Sequence, residues 1–143
     1  MDNRQLTFSH LLYLTAHHWR LAVNRRLKNL GLSQASWVAV ASIARQPQPL
    51  SQSELAQELG VESPTIVPLI HRLVALGLVE RVTTASDKRK RLLVVTDKGK
   101  ALYEQVKTVA DDLREEILTA ITPQEQEQTQ RVLEKLLREV EKK

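Results

Sequence analysis

The 143-residue sequence contains no cysteine, which excludes disulfides, thiol catalysis and cysteine-ligated zinc or iron–sulfur sites. Only five residues are aromatic, so we expect a core of Leu, Val, Ile and Ala, which is typical of packed helices rather than of an all-β fold. No stretch approaches the ~18 uninterrupted apolar residues of a membrane span, and the amino terminus lacks a signal-peptide pattern. We therefore expect a cytoplasmic protein.

The net charge of +4 is distributed unevenly along the chain. Residues 1–46 carry six basic and one acidic side chain. Residues 47–98 carry seven basic and six acidic side chains, and residues 99–143 carry eight basic and ten acidic side chains. The carboxyl-terminal segment is therefore not expected to bind a polyanion. In the middle segment four basic residues directly follow Asp87, and they form the one concentrated positive spot: Lys88, Arg89, Lys90 and Arg91.

Apolar residues recur every three or four positions over residues 8–30, which predicts a long helix that stops at Gly31. Ser33 is a suitable N-cap for a second helix, which must end before Pro47. Further on, the spacing of Ser51 and Glu54 is that of a capping box. It predicts a helix from 51 to 59.

A further helix is predicted directly after this one. Gly60 supplies a left-handed stop, Ser63 a cap, and Pro64 falls at the first helical position, where a missing N–H costs nothing. The helix is predicted over 64–76 and is closed by Gly77. Two short helices joined by a glycine turn are typical of a helix-turn-helix.

β-Branched residues then dominate residues 78–83 and 92–96, on either side of a polar segment. This pattern predicts a hairpin, and a hairpin after a helix-turn-helix is a wing. Thr96 is the predicted cap of a fifth helix, and Pro123 begins a sixth. Both carry a one-sided apolar stripe. The predicted fold is mainly α with a small β wing: a winged helix-turn-helix lobe with additional helices.

On a helical wheel, residues 64–76 separate into two faces. The apolar face consists of Ile66, Ile70, Leu73 and Val74. The opposite face follows the capping Ser63 and is the one positioned to enter a DNA groove: Pro64, Thr65, Pro68, His71, Arg72 and Ala75. An ordinary amphipathic surface helix has the same wheel, but the capped helix before it and the hairpin after it favour DNA binding.

The basic residues and the neighbouring Ser86 lie at the predicted tip of the wing, where side chains can enter a minor groove. Asp87 is two positions from Arg89 and can hold its guanidinium in one orientation. The alternative is a solvated charged turn, which the position on a predicted wing disfavours.

Six segments of the sequence resemble the multiple antibiotic resistance regulators (MarR), and within them the SlyA-like branch. These segments are LSQSELA (50–56), LGV (59–61), SPTIV (63–67), LGLVER (76–81), ASDKR (85–89) and LVVTDKG (93–99). The order and length of the outer helices also match, so the resemblance covers nearly the whole chain.

The resemblance implies an obligate homodimer that regulates transcription from palindromic double-stranded DNA. One MarR-type domain would span residues 1–143, with a winged lobe over 33–99 and a helical dimerisation region over 1–32 and 100–143. Thr65 and its neighbours would read the major groove, and Asp87 with Arg89 the minor groove. Pro68 departs from the family, because SlyA-like relatives often carry a basic residue there.

The resemblance also implies a small aromatic carboxylate as effector. Trp19 and Trp37 fall on the first two predicted helices, which the family brings together, while His17 would add a polar group and the small Ala41 would leave space for a ring. Alternatively, both tryptophans only pack between the two helices and bind no effector.

Two other classes of protein are weighed against this one. An enzyme or metal site is disfavoured, because His17 and His18 point about 100° apart on a helix and His10 lies two turns away with no third ligand between. An acyltransfer signature would need an acid at position 22, which is Ala22. We expect no catalytic residue, metal or cofactor. A low-specificity architectural DNA-binding protein would carry a larger, spread positive excess.

Overall fold

The computed structural model describes residues 5–84, 86 and 91–143. Its contacts divide the chain into two compact units, Met1–Val109 and Ala110–Lys143. The first unit contains four complete helices, a small sheet and the start of a fifth helix, and the second contains the rest of that helix and a sixth. The division into a winged lobe and a dimerisation region concerns the assembled dimer and stays a prediction.

Six α-helices lie within the described residues, and the predicted number and order of helices are confirmed. They are α1 (Phe8–Arg26), α2 (Gln34–Arg45), α3 (Gln52–Leu59), α4 (Ser63–Ala75), α5 (Asp97–Leu118) and α6 (Pro123–Glu141). No helix in this part of the chain is both long and apolar enough to cross a membrane.

The first helix ends earlier than predicted. The backbone N–H of Leu27 is shared between the carbonyls of Val23 and Asn24, and a 3₁₀ turn follows over Lys28–Leu30. Such tightening is common where an α-helix ends, and it preserves the apolar spacing that suggested a longer helix. Gly31 closes the turn with a φ of 68°, as expected for a left-handed stop.

The capping box before α3 is confirmed. Ser51 Oγ accepts a hydrogen bond from the backbone N–H of Glu54 at 3.2 Å, and Glu54 Oε1 accepts one from the N–H of Ser51 at 3.2 Å. The next helix, α4, begins one residue before its predicted start. Its N-cap is Glu62 rather than Ser63, so Pro64 occupies the second helical position, where the absence of an N–H also costs no intrahelical hydrogen bond.

The wing is an antiparallel pair of strands, β2 (Val79–Thr83) and β3 (Arg91–Val95). The sequence analysis missed a third strand, β1 (Leu50–Ser51), which pairs with the other side of β3. A strand of two residues, the second of which is also the N-cap of α3, is too short to show an alternating pattern. Pairing with β3 gives this segment its extended conformation.

The core of the first unit is aliphatic, as the composition predicted. The fully buried large side chains come from α2, α3, α4 and the wing strands: Val40, Leu55, Ile66, Ile70, Leu73, Val79 and Leu93. Together they hold α4 against β2 and α3, so the outer face of α4 is presented on a rigid support.

In the second unit, Thr122 and Glu125 form a further capping box at the start of α6. The predicted apolar stripe of α6 is largely uncovered in the single chain. Leu137 is 58% exposed and Val140 is 67% exposed, although Leu113 on α5 is buried.

Candidate nucleic-acid interface

The two faces of α4 lie as the helical wheel predicts. Ile66, Ile70 and Leu73 are buried and Val74 is half-buried. The capping Ser63 and the six residues of the opposite face are all exposed: Pro64, Thr65, Pro68, His71, Arg72 and Ala75. The helix therefore keeps its apolar side in the core and presents hydroxyl, imidazole and guanidinium groups to solvent.

Pro68 lies in the second turn of α4, yet the helix continues without a break to Ala75. A proline nitrogen cannot donate to the carbonyl four residues earlier, which here belongs to Pro64. Because both residues lie on the exposed side, water can satisfy that carbonyl. The result is an outer face with two rings and no basic side chain at position 68.

Ser86 is exposed in the segment between β2 and β3, whereas Arg91, which the sequence predicts at the tip, is the first residue of β3 and is exposed there. Ser86 Oγ lies 3.5 Å from Thr84 Oγ1, and Arg91 pairs with Thr83 at the start of β3. The other predicted wing residues, Asp87, Lys88, Arg89 and Lys90, lie outside the described residues. Their role, and that of the carboxylate beside Arg89, stays a prediction.

The base of the wing is tied to the helix-turn-helix by a contact that the sequence analysis did not predict. Arg81 Nε on β2 donates to Gln52 Oε1 on α3 at 3.4 Å. Since the two residues are 29 positions apart, nothing in the local sequence pattern indicates this pair. The contact links the wing to α3, the helix that precedes α4.

The four residues predicted to bind an effector have different environments. Trp37 is 6% exposed and its indole Nε1 donates to Asn24 Oδ1 at 2.9 Å. Ala41 is also buried, Trp19 is half-buried, and His17 is exposed, with its ring stacked on Tyr13 at a centroid distance of 5.5 Å. Trp37 thus has the contacts of a packing residue.

A cavity of about 560 Å³ lies beside these residues, between α1, α2, α3 and α4. None of the four predicted effector residues lines it. Its polar lining is Arg20, Gln34, Ser42, Arg45, Glu58 and Thr65, and its apolar lining is Ala35, Val38, Leu59, Val61, Ile66 and Leu69. Val38 and Ser42 each directly follow a predicted residue, so they point about 100° further round α2.

Three of the four histidines, His10, His17 and His18, lie on α1. His17 and His18 meet edge to face at 5.4 Å between centroids. Within residues 5–84, 86 and 91–143, no group of three or more His, Asp or Glu side chains is arranged to hold a metal ion.

Comparison with known proteins is consistent with this architecture. Residues 30–90 match the model of the MarR family. The crystal structure of the transcriptional regulator PA3341 is 39% identical, covers 96% of this chain and 100% of its own, and superposes with a TM-score of 0.90. Wild-type apo MarR from E. coli is 27% identical, with coverage of 92% and 98% and a TM-score of 0.78.

A complex of S. aureus MepR with DNA also matches, at 22% identity, coverage of 94% and 99%, and a TM-score of 0.78. At this identity the likeness shows the fold alone. The predicted mainly α fold with a β wing is confirmed by these matches. The match to the family model and the 39% identity to PA3341 over nearly the full length of both chains together identify the family. The chain belongs to the MarR family of DNA-binding transcriptional regulators, which are not enzymes.

Proposed function

We propose that this chain is a homodimeric, cytoplasmic regulator of the SlyA-like branch that binds palindromic operators in double-stranded DNA. The observation that carries the proposal is the division of α4 into a buried apolar face and an exposed face with Thr65, His71 and Arg72. These three side chains can donate to or accept from base edges or phosphates in a major groove.

The wing supplies the second contact with DNA. Arg91 and Ser86 flank the tip, and the sequence places Asp87, Lys88, Arg89 and Lys90 between them. A guanidinium inserted in a narrow minor groove is attracted by the negative potential of the groove. The strength of this attraction depends little on the identity of the bases. We propose that the wing contributes affinity, and α4 contributes most of the sequence preference.

The dimer is supported by apolar surface that the single chain leaves exposed. On α6, Leu137 and Val140 are more than half exposed, as are Phe8 and Tyr13 on α1. Exposed apolar patches on a soluble chain mark interaction surfaces, and in a palindromic complex the covering partner is a second copy. Two copies of α4 would then meet successive major grooves, about 10 base pairs apart.

We further propose that the cavity between α1, α2, α3 and α4 binds a small aromatic carboxylate. The guanidiniums of Arg20 and Arg45 suit a carboxylate, and Val38 and Leu69 suit a ring. Thr65 lines the cavity and also lies on the exposed face of α4. An occupant that favours one position of α4 would therefore shift the equilibrium between states with different DNA affinity.

The experiment that tests DNA recognition is selection of duplexes from a random pool by the purified protein, followed by competition against random duplex. We expect a two-fold symmetric consensus with half-sites about 10 base pairs apart. Equal affinity for every sequence would identify a low-specificity architectural protein instead. A consensus without two-fold symmetry would contradict the dimeric arrangement and leave sequence-specific binding intact.

A further inference from the structure

α4 is the recognition helix of the proposed function, and its carboxyl end is bound directly to the residues at the start of α5. We name this contact the α4–α5 junction, formed by residues 76–78 and 96–99. Lys98 Nζ donates to the carbonyl of Leu76 at 2.9 Å, and Thr96 Oγ1 donates to the carbonyl of Gly77 at 2.6 Å. The backbone N–H of Thr96 also donates to Leu78 O at 3.1 Å. Three consecutive carbonyls after α4 are thus held by two residues at the start of α5.

Lys98 lies where a lysine is locally unfavourable. It is in the first turn of α5, where the helix dipole presents partial positive charge and favours acidic residues such as Asp97. The same ammonium reaches the C-cap residue of α4, Leu76, where the dipole is negative and a cation is favoured. The contact across the junction therefore offsets the local cost.

Gly99 shows how close the two elements approach. A Cβ atom built on Gly99 would lie 2.2 Å from the carbonyl oxygen of Leu78, and the contacted atom is backbone, which cannot turn away. The N–H of Gly99 donates to Thr96 Oγ1 at 3.1 Å. Thr96 thus caps α5 and binds Gly77 with one hydroxyl, so α5 starts at a defined position relative to the end of α4.

We propose that Lys98 is a positioning residue that sets the angle between α4 and α5 and, through it, the separation of the two recognition helices in the dimer. The inference rests on the proposed dimeric function. Because α5 begins at this junction, the direction in which its first turns leave the end of α4 depends on these contacts. Lys98 thereby determines the half-site spacing that the protein prefers, without contacting DNA.

The experiment measures affinity of the purified full-length protein for the selected operator and for versions with the half-sites one base pair closer or further apart. Lys98→Met keeps the length and apolar stem of the side chain and removes its donor. We expect the preference for the optimal spacing to fall roughly threefold to tenfold, the range that one hydrogen bond carries. Lys98→Arg retains a donor and should keep the wild-type preference.

Lys100→Met is the matched control, because Lys100 is also exposed and lies two residues further along α5. It should keep the wild-type preference. Urea unfolding of each variant shows whether it folds; if Lys98→Met does not, Lys98→Leu, which also lacks a donor, replaces it. A uniform loss of affinity at all spacings, or an unchanged preference, would overturn the inference. A wild-type protein with no sequence-specific binding would instead overturn the proposed function.

Discussion

The indole Nε1 of Trp37 on α2 donates a hydrogen bond of 2.9 Å to Asn24 Oδ1 on α1. Trp37 is buried and Asn24 is half-buried, so the pair joins the two helices within the first unit. An indole N–H in a buried position needs a partner, and here a side chain 13 residues away supplies it. The donor of Trp37 is thus already satisfied within the chain.

Trp37→Phe should lower the free energy of unfolding, because it removes this hydrogen bond and leaves Asn24 Oδ1 without its donor. We expect a loss of about 1 kcal/mol beyond the change in buried area. Urea unfolding of Trp37→Phe, Asn24→Ala and the double variant would isolate the coupling of the pair. A coupling energy near zero would contradict the structural role of this bond.

Ser51→Ala should destabilise the protein by about 1 kcal/mol, because it removes the oxygen that accepts from the Glu54 N–H at the start of α3. Thermal or urea unfolding measures the effect. Ser53→Ala is the matched control, since Ser53 is exposed inside the same helix and its change should stay within about 0.5 kcal/mol. Equal effects of the two variants would show that the capping hydroxyl contributes no more to stability than an exposed serine in the same helix.

Leu137→Glu should give a folded monomer. Leu137 is 58% exposed in the single chain, so the new carboxylate costs little there, but a dimer interface over α6 would bury it unpaired. Sedimentation at micromolar concentration measures the assembly. Arg138→Glu adds a carboxylate on the opposite side of α6 and should leave the dimer intact. A folded wild-type monomer under these conditions would contradict the proposed assembly.

Thr65→Ala and Arg91→Ala should affect DNA binding differently. Loss of the Thr65 hydroxyl should change which bases are preferred, since α4 is proposed to read them. Arg91→Ala should weaken binding to most duplexes and lower the slope of log affinity against log salt by about 1. Arg89→Ala is predicted from the sequence to act in the same way. If neither Arg91→Ala nor Arg89→Ala changes the salt dependence of DNA binding, the wing does not contact the phosphates.

Salicylate should bind in the cavity and weaken operator binding. Arg45→Gln should reduce its affinity about tenfold, because a charge-assisted hydrogen bond to the carboxylate is lost. Arg25→Gln, at the exposed end of α1 and outside the cavity lining, is the control. Calorimetry measures binding, and operator titration measures its consequence. If calorimetry detects no binding at millimolar salicylate, this class of effector is excluded.

The local features of the fold follow from the sequence because they depend on neighbouring residues. The Ser51 and Glu54 pair needs only a spacing of three to form its capping box, and Gly31 and Gly60 adopt the left-handed conformations that end their helices. The two faces of α4 follow in the same way from helical periodicity. These signals were sufficient for the order of the helices, the wing and the exposed face of α4.

Contacts between distant segments required the tertiary structure. The strand β1 exists because Leu50 meets Leu93, and the cavity acquires its two arginines because α1 and the end of α2 converge on α4. The effector site that the sequence predicts at Trp37 and Ala41 stays a prediction, and the cavity is lined by their neighbours Val38 and Ser42. Sequence spacing defines the angle between two residues on one helix, but only the packing of that helix decides which angle faces the core, the cavity or solvent.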